Sequence, residues 1–121
     1  MYPPLFAICA ADSTLTALIG TNPVRCFPFE EAKQGVALPY MVWQVIAGIP
    51  ENYINQAPDT DNVVVQVDIY GATVASARDV AIAARDAIEP HAHITSWRGE
   101  SQDEETKLYR VSFDVEWWLN R

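Results

Sequence analysis

Basic residues are scarce in this sequence: eight lysines and arginines stand against sixteen acidic residues, a net charge of −8 over 121 residues. The eight (Arg25, Lys33, Arg78, Arg85, Arg98, Lys107, Arg110 and Arg121) are scattered along the chain. Tight nucleic-acid binding needs clustered cations to displace counterions from phosphates, and no such cluster exists here. Arg25 is the first basic residue, so the apolar segment Leu5–Ala11 lacks the charged lead-in of a signal peptide. The longest apolar stretch, Val36–Ile49, is interrupted by Pro39 and Gln44 and falls short of the ~18 residues that mark a membrane helix. The expectation is a soluble protein made in the cytoplasm. Cysteine is rare too. Cys9 and Cys26 lie among apolar neighbours, and with no secretion signal they are expected to be buried, reduced thiols. There is no glycine-rich phosphate loop and no G-x-S-x-G elbow.

What is present is the composition of a folded chain, 50% hydrophobic and 20% charged. Its length fits one domain over 1–121 with a core that needs no disulfide staples. Pro3–Ala11 and Ser13–Ile19 read as short helices, with Asp12 or Ser13 as an N-cap and Gly20 as a stop. Val24–Phe29 reads as a short strand, and Tyr40–Ile46 as a β-branched and aromatic strand with two apolar faces. Gly48–Asn62 is punctuated by Pro50, Pro58 and Asn/Asp residues and reads as a long loop. In the strand Asn62–Tyr70, Val63, Val65, Val67 and Ile69 share one face. Thr73–Glu89 is the clearest helix: Val74, Ala77, Ala81, Ala84 and Ile88 form a stripe of small side chains that can sit close to a sheet. His93–Gly99 and Lys107–Leu119 make a hairpin around the acidic turn Glu100–Thr106. In its second strand Tyr109, Val111, Phe113, Val115 and Trp117 face inward. This order predicts an α+β fold: a mostly antiparallel sheet of about five strands, one main helix on a face, and short N-terminal helices.

The residues with possible chemistry are few. His91 and His93, at i and i+2 on a strand, would project to one side, and Asp86 or Glu89 could complete a metal site. No third histidine exists, however, and His91 near a helix C-terminus is favourable on electrostatic grounds alone. Asp114 and Glu116 on one strand face match a carboxylate pair but equally the solvent face of an edge hairpin. Glu100–Glu105 lacks calcium-loop spacing. Trp118 differs in kind. If Trp117 is core, its neighbour points away from that core, either under the N-terminal helices or into a protein partner. Ile49, Tyr53 and Ile54, set among polar residues in the Gly48–Asn62 segment, are likewise expected at a protein interface.

Several motifs recur here in a familiar order. They are Thr21-Asn22-Pro23-Val24-Arg25, Phe27-Pro28, Leu38-Pro39-Tyr40 leading into Trp43-Gln44-Val45-Ile46, Gln66-Val67-Asp68-Ile69-Tyr70, and Tyr109-Arg110-Val111-Ser112-Phe113-Asp114. In order and spacing, from about Ala17 to Arg121, the chain resembles the tail-completion proteins of long-tailed bacteriophages, which include tail terminators and tail-to-head joining proteins. The resemblance implies a structural virion protein, made in the host cytoplasm and forming a hexameric ring. Such a ring would cap the tail-tube protein and meet a head-completion or neck protein. It implies no catalysis, no cofactor, no metal and no membrane, with DNA passing through unbound. Two readings outside this resemblance are a small metal-dependent enzyme using His91 and His93, and a cytosolic protein-binding module.

Overall fold

The computed structural model describes residues 2–29, 35–50, 57 and 59–120. Its elements are α1 (Leu5–Ala11), α2 (Ser13–Ile19), β1 (Cys26–Pro28), β2 (Tyr40–Pro50), β3 (Thr60–Gly71), α3 (Val74–Ile88), β4 (His93–Gln102) and β5 (Tyr109–Asn120). Local chemistry sets the helix ends. The Asp12 carboxylate accepts from the Leu15 N–H at 2.9 Å and caps α2, and the Thr73 hydroxyl accepts from the Ser76 N–H at 3.0 Å and caps α3. Gly20 stops α2 at φ +90, where its missing side chain leaves room for the Arg25 guanidinium. That guanidinium donates to the carbonyls of Leu18 and Pro39, tying the end of α2 to the start of β2.

The five strands form one sheet in the order β1-β2-β3-β5-β4, antiparallel except for the β1–β2 pair. This is the predicted α+β architecture. α3 lies over β3 and β5, with α1 and α2 packed beside it. The inward faces of four strands meet these helices: Cys26 from β1, Met41 from β2, Val63 to Ile69 from β3, and Val111 to Trp117 from β5. Gly71 marks a close approach of β3 to α3, since a Cβ there would lie 2.9 Å from the Ala77 backbone nitrogen.

Several expectations need correction. Both ends of the stretch Gly48–Asn62 are strand rather than loop, and residues 51–56 and 58 lie outside the described residues. β2 continues to Pro50 and β3 begins at Thr60, with Gly48 paired to Val63 and Ile49 to Asn62. A bulge between Val45 and Ala47 restores the pairing after Ile46 and so hides the strand from a test of strict alternation. β4 runs on to Gln102. The buried face of α3 is wider than the predicted stripe: Val80, Ala83 and Ala87 join it, while Val74 stays partly exposed. The sheet meets this helix on one side and α1–α2 on another, so more than one narrow stripe is covered. His91 and His93 do not share a strand, because His91 sits in the turn after α3 and only His93 begins β4. Finally, the β4–β5 hairpin lies at the sheet edge as expected, but β5 is its inner strand, and Ser112 and Asp114 are buried rather than solvent-facing.

Candidate interaction surfaces

Among the described residues the sheet face away from α3 carries no helix, so its side chains are the first place to look for function. Arg98 is the extra residue of a second bulge, between Trp97 and Gly99, and donates to Asp114 at 2.7 Å. Arg110 lies 3.6 Å from Asp68, which also accepts from the Gln66 amide. Tyr40 and Tyr70 are register partners and stack with their ring centroids 5.1 Å apart; Phe27 meets Tyr40 edge-on. Burial and the mutual proximity of the two rings push the Tyr40 phenol above its usual range. Burial and the Asp68 charge do the same for Tyr70, so both stay neutral donors.

One end of this face is different. Ile49, Asn62 and Trp118 form one row across β2, β3 and β5, with Ala47, Val64 and Glu116 in the next row on the same face. Ile49 is 63% and Trp118 53% exposed, which makes a small apolar pad beside a charged field. The structure therefore brings together two of the four residues expected at an interface. Tyr53 and Ile54 lie outside the described residues. Trp118 does not pack under the N-terminal helices, because it leaves the sheet on the opposite side from them, whereas Trp117 is core.

Two further apolar patches escaped the sequence reading, one at each edge of the sheet. α3 stops short of β4, leaving a groove of about 360 Å³ lined by Ala81, Ile82, Trp97 and Val111. Trp97 leans on buried Phe113 at 5.0 Å, yet Trp97 and Ile82 each remain 50% exposed. Arg78 and Glu100 close one end of the groove with a two-pronged ion pair at 2.6 and 2.9 Å, which holds the Glu100 carboxyl below the usual carboxylate range. At the other edge Tyr2 and Phe29 stand 73% and 58% exposed beside Trp43 and Val45. The available signal was Ile82, an apolar residue on the charged side of α3, but one such residue is ordinary on a surface.

Among the described residues each arginine is engaged. Arg25 holds backbone carbonyls, Arg78 holds Glu100, Arg85 holds Asp86 and Glu89, Arg98 holds Asp114, and Arg110 holds Asp68. Again among the described residues, no group of three or more His, Cys, Asp or Glu side chains is placed to hold a metal ion, and His91 and His93 are exposed. Cys9 and Cys26 are buried free thiols beside one another, and the hydrogen bond between them together with burial raises the Cys26 pKa. No helix among the described residues is long and apolar enough to cross a membrane.

The described surface is acidic overall, internally paired and interrupted by open apolar patches. The family model for tail completion protein gp17 matches residues 3–120, and the chain belongs to that family. It is a structural protein of a phage tail, part of the virion, and its role is assembly with other virion proteins. No curated protein matches. Among the solved structures that match, a chain from the virion of a native gene transfer agent particle shares 17% identity at a TM-score of 0.58. That match covers 97% of this chain and 92% of the other, and it shows a common fold.

Proposed function

We propose that the chain acts as a single domain (residues 1–121) and assembles into a hexameric ring. The ring terminates the tail tube and joins it to a head-completion or neck protein, as a non-enzymatic part needing no cofactor. Family membership supports the tail role. The observation that carries the contact is the exposed Ile49–Trp118 row at one end of the sheet, where half-exposed isoleucine and tryptophan are suited to anchoring a partner. We assign this row to the tail-tube protein, with Tyr53 and Ile54 from the segment that follows β2 as further contacts. DNA passes without specific binding, because the described arginines are already paired with carboxylates or carbonyls and the net charge of −8 repels phosphate. Native mass spectrometry and electron microscopy over a concentration series, with and without tail tubes, test this reading. Rings seated on tube ends are expected. A protein that stays monomeric and never caps tubes would overturn it.

A further inference from the structure

A closed ring requires each subunit to offer two different patches, related so that one fits the other on the next copy. Resting on the ring reading above, we infer that the patches are the two edges of the sheet. The groove between α3 and β4, with Ile82 and Trp97, receives the aromatic side chains Tyr2 and Phe29 of a second copy.

Three observations carry this. First, the strand order puts β1–β2 and β4 at opposite edges, and at both edges the apolar side chains lie on the face that bears the helices. A neighbour placed side by side therefore presents one edge to the other. Second, shape and area agree. The groove of about 360 Å³ exceeds the roughly 150 Å³ that suffices for a benzene ring, so a phenyl or phenol side chain fits. Aromatic side chains bury on the order of 150–250 Å² each. The half-exposed Trp97 with Ile82 on one side, and Tyr2 with Phe29 on the other, thus supply the apolar centre of an interface needing ~800 Å² per partner. Third, backbone pairing along β4 is discouraged. The strand is interrupted at Ile94/Ser96 and at Trp97/Gly99 and carries His93, Arg98 and Glu100, devices that block edge addition. Side-chain docking is left as the route. Because Arg78 is already held by Glu100, the contact is apolar and tolerates salt.

The test uses Ile82→Arg, Phe29→Asp and the double variant, followed by native mass spectrometry and electron microscopy. Both positions are half-exposed, and unchanged melting curves verify folding. Should a charged variant melt early, Ile82→Ser or Phe29→Ser replaces it in the same assay. Each single variant is expected to need at least a tenfold higher concentration than wild type to form rings. The double variant, which places Arg against Asp across the contact, regains them. Trp118→Ala still forms rings but loses tube ends. Rings from both single variants at the wild-type concentration would overturn this contact and leave the ring reading standing. A wild type that never associates, even with tubes, would overturn the ring reading and this contact with it.

Discussion

Ile49 and Trp118 are both register partners of Asn62, one on each neighbouring strand, so they leave the sheet on the same side about 10 Å apart. Their separation in sequence hides this completely. Neither contributes much to the core, so Ile49→Asp and Trp118→Ala should each change stability by less than about 0.5 kcal/mol. Both should abolish capping of tail tubes, scored by electron microscopy at a concentration where the wild type caps. Undiminished capping by both variants would place the tube contact elsewhere.

Gly71 tests the packing of α3. A methyl group there would meet the Ala77 backbone, which cannot rotate away, so Gly71→Ala should cost about 1–3 kcal/mol. Gly48 is the control, since nothing lies within 4 Å of a Cβ at that position. Thermal melting should show a clear drop for the first variant and almost none for the second. Equal midpoints would mean that α3 sits farther from β3 than described.

The turn after β4 should respond to acid. The Asp103 carboxylate accepts from the N–H groups of Glu105 at 2.8 Å and Thr106 at 3.1 Å, which holds its pKa below the usual range. Glu100, held by Arg78, is lowered as well. A carboxyl group whose folded pKa is depressed adds stability that is present above its unfolded value, about 4, and lost as pH falls through the folded one. Hydrogen exchange at Glu105 and Thr106, corrected for the intrinsic rate, should be flat from neutral pH to about 5 and rise below about 4. Asp103→Asn keeps an acceptor but cannot titrate, so this rise should shrink. An identical profile in the variant would mean that another group controls the turn.

The thiols provide a simple readout of the N-terminal packing. Cys9 in α1 and Cys26 in β1 are buried side by side, and their contact and burial hold Cys26 protonated above the normal thiol range. Denaturation without reductant should release two titratable thiols per chain. In the native state at pH 8, labelling should be slow and should track global unfolding. Rapid native labelling would show that α1 detaches from β1 independently.

The sequence alone was enough for the order and type of the elements and for which way many side chains point. Alternation from Tyr109 to Trp117 put these residues inside, and that period of two is a local property of an extended backbone. The same logic made Trp118 face away from the core, and it is exposed. Caps at Asp12 and Thr73 and the stop at Gly20 are local chemistry too. Which strands become neighbours is not local. Only the order β1-β2-β3-β5-β4 makes β5 an inner strand, burying Asp114 under Arg98 although Asp114 looked like a solvent-face residue. Only register sets Ile49 beside Trp118, and only the bulge after Val45 carries β2 on to Pro50. The groove at Ile82 and Trp97 exists because α3 covers β3 and β5 but not β4, a matter of how layers of fixed width stack. Periodicity says which face of an element is apolar; the tertiary structure decides how much of that face is left uncovered.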